Sequence, residues 1–265
     1  MIQRRCLISL FFLLVCSSQA QAQFDQHFGV FTGTIVVFDQ QNDQYTIHNE
    51  ERAHTPLTPF STFKIPNSLI ALETGVVPDI ESTLTWDKGS YPEEDWWPEN
   101  WVEQHNLKSA IQYSVVPLYR DIARKIGVER MSAFLARFEY GNQDISSGVD
   151  RFWLNGSIKI SAVAQVQFLQ KFYDQSLKVS PKTTALVKEI LIQEKTDRYI
   201  LSAKSGAGGL GGEGGKALGW YVGYVEREDR VFFFAMNIEG KSFQDILAPR
   251  QQITKSILKD MKIID

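Results

Sequence analysis

Cysteine is almost absent. The 265-residue chain has only Cys6 and Cys16, both in its first apolar stretch, so no disulfide framework holds the body together and stability rests on packing. Histidine is scarce too. His27, His48, His54 and His105 show no paired spacing on one helix face, and with no cysteine left to ligate, a zinc hydrolase is disfavoured. No run of lysine and arginine stands out, and 28 basic residues against 31 acidic ones leave a net charge of −3. A nucleic-acid partner therefore has no electrostatic footprint. Long apolar runs are missing as well: the one from Cys6 to Val15 falls short of the ~20 residues that span a bilayer.

That run follows Arg4 and Arg5 and precedes Ala20-Gln21-Ala22, a small-residue cleavage pattern, which together read as a secretory signal peptide over Met1 to Ala22. The expected mature protein begins near Gln23, in the bacterial periplasm or outside the cell, without a stable membrane span. Lipidation at Cys16 is the weaker alternative, because Val15 stands where a small residue is wanted. The remaining residues, 23 to 265, suit one composite domain with a large core.

Gly33 to Asp39 and Gln44 to His48 read as a hairpin around Gln41, Asn42 and Asp43, the start of a sheet. The stretch Phe60-Ser61-Thr62-Phe63-Lys64-Ile65-Pro66 then opens a helical pattern through Leu69 and Leu72, with Gly75 as its stop. Pro66 costs little near the first turns. Between Asp79 and Trp101 the chain is turn-rich, and Trp86, Trp96, Trp97 and Trp101 are expected to pack under a long loop. Helical patterns cover Pro117 to Ile126, Glu129 to Phe138, Ala162 to Tyr173 and Pro181 to Ile192. Strand patterns return at Tyr199 to Lys204, Leu218 to Val225 and Arg230 to Asn237, followed by an amphipathic helix from about Asp245 to Met261. Strands at both ends with helices between predict an α/β chain of the α+β type, an antiparallel sheet flanked by terminal helices with an all-helical subdomain inserted at about 67 to 195.

Ser61 and Lys64, three apart, share a helix face, which sets a nucleophile beside a possible amine base. The apolar flanks Phe60, Phe63 and Ile65 favour the neutral amine. Unpaired N–H groups at the helix start favour the negative charge of an attacked carbonyl. Ser-x-x-Lys alone is weak, since about one chance match is expected at ordinary composition. Ser256 and Lys259 supply that match, on what reads as a solvated face. Gly206 to Gly211 fits G-x-G-x-x-G but leads into a strand instead of a helix, and a Walker loop fails at Leu210 and Ala217. Gly206 to Gly215 is therefore read as a flexible hairpin tip. Just before it, at a strand end, Lys204-Ser205-Gly206 can offer a cation, a hydroxyl and a backbone N–H to a docked amide. Ser114-Val115-Val116 is unremarkable alone, Ser161-Ala162-Val163 repeats its pattern, and Tyr140-Gly141-Asn142 reads as a turn.

Taken in order, Ser-Thr-Phe-Lys at Ser61, Ser-Val-Val at Ser114, Tyr-Gly-Asn at Tyr140 and Lys-Ser-Gly at Lys204 resemble the class D β-lactamases, the oxacillinases. The likeness includes Ile65-Pro66-Asn67-Ser68-Leu69, Trp153-Leu154 and Phe234-Ala235-Met236-Asn237, and covers essentially the whole mature chain. It implies the serine β-lactamase and penicillin-binding fold and a small-molecule β-lactam substrate attacked by Ser61. It further implies that Lys64 is carboxylated by carbon dioxide or bicarbonate, with no dissociable cofactor and no metal, and that the carbamate is the general base. Trp153 would hydrogen-bond the carbamate, Val116 would screen it, and Ser114 would relay a proton to the leaving nitrogen. Lys204, Ser205, Gly206, Ala207 and Arg250 would hold the substrate, with the backbone N–H groups of Ser61 and Ala207 as the oxyanion hole. The sequence departs from the family's pattern in Gly206 to Gly215, which is longer and richer in glycine. Family members occur as monomers or homodimers. Two relatives in chemistry share the motifs: a β-lactam sensor domain, disfavoured without a spanning helix, and a D,D-peptidase, disfavoured by Ser-x-Val in place of Ser-x-Asn.

Overall fold

Side chains alternate between the two faces of three apolar strands, and this alternation sets the architecture. The computed structural model describes residues 24–154, 156–210 and 215–265. The expected leader, with Cys6 and Cys16, lies outside them, as do residues 211–214 of the glycine stretch. Strands β1 (Thr32–Asp39) and β2 (Gln44–His48) form the expected hairpin. With β3 (Ile192–Lys195), β4 (Ile200–Gly209), β5 (Ala217–Arg227) and β6 (Arg230–Gly240) they make one antiparallel sheet in the order β2-β1-β6-β5-β4-β3. Val36, Trp220, Val222 and Phe233 face one core, while Ile35, Val37, Tyr221, Phe234 and Met236 face the other. The period of two divides a nearly continuous apolar run into two buried faces.

The first face is covered by the helical part: α1 (Glu50–His54), α2 (Lys64–Glu73), α3 (Leu107–Gln112), α4 (Val116–Ile126), α5 (Val128–Phe138), α6 (Ala162–Tyr173) and α7 (Pro181–Leu191). Of these, α6 lies directly on β1, β5 and β6. Against the second face pack α8 (Phe243–Leu247), α9 (Pro249–Asp260) and a helical turn at 24–28. Helix α2 is buried all round from Lys64 to Ala71, with α4 and α7 against it. Among the described residues no helix is long and apolar enough to cross a membrane.

Most elements fall where periodicity put them, and the differences have local causes. The expected terminal helix is two, because Pro249 has no N–H to continue α8 and instead occupies the first turn of α9. Helix α3 escaped notice since it is short; its signal was the capping box of Asn106 and Ser109. The glycine stretch is only partly a hairpin tip. Gly206, Ala207, Gly208 and Gly209 continue β4, paired with Trp220, Gly219, Leu218 and Ala217, so Lys204 lies within the strand instead of at its end. Trp86, Trp97 and Trp101 pack against one another as expected, whereas Trp96 is 66% exposed.

Glycine at 208 is required by close approach. A Cβ there would lie 2.0 Å from the ring of Phe60, whereas one at Gly209 would meet nothing within 4 Å. Gly208→Ala should therefore destabilise the fold by about 1–3 kcal/mol through overpacking, lowering the melting temperature by several degrees. Gly209→Ala should melt with the parent protein; calorimetry on both variants checks the contrast.

Candidate active site

Ser61 sits in a 3-10 turn, Phe60–Phe63, that runs directly into α2. The turn is fixed from several sides. Thr62 Oγ1 donates to the Pro59 carbonyl at 2.8 Å and accepts from Gln165 Nε2 at 2.9 Å, and Trp220 Nε1 donates to the Thr58 carbonyl at 2.9 Å. Phe60 takes a left-handed φ of 48°, a costly conformation for a bulky residue and one that neighbouring structure must enforce. At the start of α2 the Lys64 Nζ lies 3.0 Å from Ser61 Oγ, the contact that three-residue spacing allows. Lys64 is fully buried, and its Nζ stands 5.1 Å from the centre of the Tyr119 ring. Burial, with a smaller push from the charge of Lys204, holds its pKa well below the ordinary lysine value. A neutral amine beside a hydroxyl can take its proton.

Ser114 and Lys204 form a second polar pair. Ser114, between α3 and α4, also has a positive φ, 62°, and accepts a hydrogen bond from Lys204 Nζ at 3.1 Å, while the same amine donates to the Ser205 carbonyl at 2.9 Å. Burial, then the nearby positive charge of Arg250, brings the pKa of Lys204 down to about 7. Strand β3 pairs with β4 only as far as Ser202, so the segment 203–209 has no strand on that edge. The Ser61 turn packs there instead. Gly206 allows it, since a Cβ would come 2.8 Å from the Pro59 carbonyl oxygen and 3.1 Å from Thr62 N.

A cleft of about 420 Å³ opens between the helical part and this edge, lined by Ser61, Ser114, Val116, Ser205, Gly206, Ala207 and Arg250 among others. Lys64, Lys204 and Trp153 are buried. The structure thus assembles on one cleft, or immediately behind it, residues that the sequence spreads from 61 to 250. Trp153 stacks on Phe63, the residue before Lys64, with ring centres 5.2 Å apart, and its buried Nε1 has no hydrogen-bond partner among the described residues. Arg250 Nε and Nη1 are likewise buried without partners there, and burial lowers its pKa to about 10.

The chance matches separate from these. Ser256 and Lys259 are exposed on α9, and Ser161 is the N-cap of α6, its Oγ accepting from Ala164 N at 3.1 Å. Tyr140 is buried edge-on against Phe63, a packing residue ahead of the turn at Gly141. Sequence reasoning missed Tyr119 beneath Lys64, and Trp96, Phe243 and Leu247 on the cleft wall. Tyr119 follows Ser114 by five residues and carried no signal of its own. Leu247 falls inside the expected terminal helix, but Phe243 lies ahead of its start at about Asp245, so their i, i+4 pairing was not legible until α8 was seen.

Comparison with known proteins places the chain in a family. The family of the penicillin binding protein transpeptidase domain matches residues 33–259. Beta-lactamase OXA-48 of Klebsiella pneumoniae is 43% identical over 243 residues, covering 92% of this chain and 88% of that protein. Beta-lactamase OXA-10 of Pseudomonas aeruginosa is 38% identical over 232 residues, 88% of this chain and 85% of that one. Among solved structures, FUS-1 (OXA-85), a class D β-lactamase from Fusobacterium nucleatum subsp. polymorphum, superposes with a TM-score of 0.85 at 34% identity, covering 94% of this chain and 99% of its own. Relatedness of this extent, spanning both the sheet and the helical part that meet at Ser61, establishes that the chain belongs to the class D β-lactamases.

Proposed function

We propose that the protein hydrolyses the cyclic amide of penicillins through an ester on Ser61. The observation that carries the reading is the 3.0 Å approach of a buried lysine amine to the Ser61 hydroxyl at the edge of a cleft. Ser61 Oγ attacks the lactam carbonyl carbon, the carbon–nitrogen bond breaks, and the ring nitrogen receives a proton by way of Ser114. Lys204 Nζ, 3.1 Å from Ser114 Oγ, can resupply that proton because an amine titrating near neutrality both gives and takes one. The N–H groups of Ser61 and Ala207 are our oxyanion donors. Arg250 lines the cleft beside Ser205 and Ala207, and with Lys204 its charge takes the substrate carboxylate. Water then cleaves the ester.

Carboxylation of Lys64 fits the surroundings. A buried donor without a partner costs about 1–3 kcal/mol, and Trp153 Nε1 is one; an oxygen of a carbamate on Lys64 is the acceptor we assign to it. Only an unprotonated amine combines with carbon dioxide, and burial favours that form of Lys64. The carbamate supplies a general base at neutral pH. Val116, partly buried on the cleft wall, limits water there. We read residues 23–265 as a single domain carrying a helical subdomain at about 67–195, exported to the periplasm behind the Met1–Ala22 leader. The supporting features are the charged, apolar and small-residue succession of that leader and the burial of α2 against α4 and α7.

Lys64→Ala should accumulate ester without turning over and slow its formation by 100-fold or more; normal turnover of a chromogenic cephalosporin by this variant would contradict the base role. In Trp153→Phe, which keeps a ring against Phe63, kcat on benzylpenicillin should drop at least 10-fold and recover in part with added bicarbonate. A stoichiometric burst without turnover in the parent protein, bicarbonate included, would identify a sensor instead of a hydrolase. Lys204→Met should abolish most activity and yet raise the melting temperature at pH 7. The sign follows from the folded pKa of about 7: from pH 7 up to the unfolded lysine value near 10.4 the unfolded chain holds a proton that the folded one has lost, so the native lysine costs stability. That cost shrinks as pH rises through this window, and the thermal gain of Lys204→Met should shrink with it between pH 7 and pH 10.

A further inference from the structure

The sheet-side wall of the cleft carries an apolar surface beside Arg250. Phe243, Leu247 and Arg250 all line it, Phe243 with 44% of its surface exposed. The short helix α8 that presents Phe243 is firmly seated. Ser242 Oγ accepts from Asp245 N at 3.3 Å, while Asp245 Oδ2 accepts from Ser242 N at 2.9 Å. Ile246 is fully buried over the two glycines of β5 and β6, where a Cβ would approach it to 3.2 Å at Gly219 and 2.7 Å at Gly240. Phe243 and Leu247, four apart, share the remaining face. A helix fixed in this way presents Phe243 to the cleft at a set position, and a phenylalanine ring has few rotatable bonds to lose when a ligand covers it. Its neighbour Arg250 offers two buried N–H groups with no partner among the described residues.

We propose that Phe243 and Leu247 are specificity-determining residues that bind a flat apolar substituent carried next to the carboxylate-bearing carbon of the substrate. This rests on the β-lactamase reading above. Once the carboxylate is seated on Arg250, the substituent on the adjoining ring carbon lies toward α8. In a penicillin that adjoining position is a saturated carbon with two methyl groups, which offers Phe243 little area. In a cephem it is an sp² carbon whose substituent extends in the plane of the ring, so an aryl group there can lie along Phe243 and Leu247. Covering on the order of 50 Å² of apolar surface corresponds to about a tenfold change in affinity.

The test uses two cephems with the same acyl side chain, one with a methyl group at that carbon and one with a styryl group, so that the difference in intrinsic reactivity cancels between protein variants. In Phe243→Ala the styryl-to-methyl ratio of kcat/KM should fall about tenfold relative to the parent, carried by KM. Phe243→Tyr should keep the parent ratio, and Phe243→Leu should fall between. An unchanged ratio in both Phe243→Ala and Phe243→Leu would overturn the inference. Failure of the parent protein to turn over either cephem or benzylpenicillin would overturn the hydrolase reading itself, and is thereby distinguished from failure of the Phe243 subsite.

Discussion

The approach of Lys64 Nζ to Ser61 Oγ takes place where no solvent reaches the amine. An ammonium ion there would forfeit several kcal/mol of hydration unless paired with a counter-ion. The charge that acts on it is another cation, Lys204, so dryness and repulsion both favour the neutral base. The same pressure runs along the cleft. Lys204 is held near neutrality by burial and by Arg250, and Arg250 is itself lowered by burial. Arg250 thus weakens the hold of Lys204 on its proton and Lys204 that of Lys64, and the positive charge along the cleft favours an anion.

Polar groups without partners point the same way. Trp153 Nε1 and two N–H groups of Arg250 are buried donors without acceptors among the described residues. Each is a cost to the folded protein, and in the proposed mechanism the carbamate and the substrate carboxylate are the acceptors that would relieve it. Stability is thereby traded for binding and chemistry, the usual relation between a strained site and its function. Phe60 and Ser114 add backbone strain at two of the places where the chain delivers a residue to the cleft, with positive φ at both. Glycine then appears on the opposite wall, at Gly206 and Gly208, where a side chain would push the sheet edge away from that turn.

The helices and strands were largely legible because burial on one or both faces leaves a period in the sequence. Helix α6 and strand β2 were read at their full length. What failed was punctuation. Four small residues, Gly206 to Gly209, look like a turn in isolation, yet they remain a strand because Trp220 and its neighbours pair with them and because Phe60 needs the room. The expected terminal helix broke at Pro249, whose effect on the backbone was visible in principle. In the site, the hydroxyls and lysines were found by motif. Tyr119 and Phe243 were not, because an aromatic residue on a helix has no signature that separates packing from lining a cleft.

The two Ser-x-x-Lys tetrads show why spacing alone does not make a site. Both pairs lie on a helix or at its start, and both have the three-residue separation that places hydroxyl and amine side by side. On α9 the lysine is exposed, where water stabilises the ammonium and the hydroxyl has no base. At Ser61 the same tetrad is enclosed by α2's own packing, by the Tyr119 ring and by Trp153 stacked on Phe63. The chemistry therefore resides in the environment that removes water from one copy, and that environment is assembled from residues far apart in the chain. A mutation that hydrates Lys64 without touching the tetrad would turn the first copy into the second.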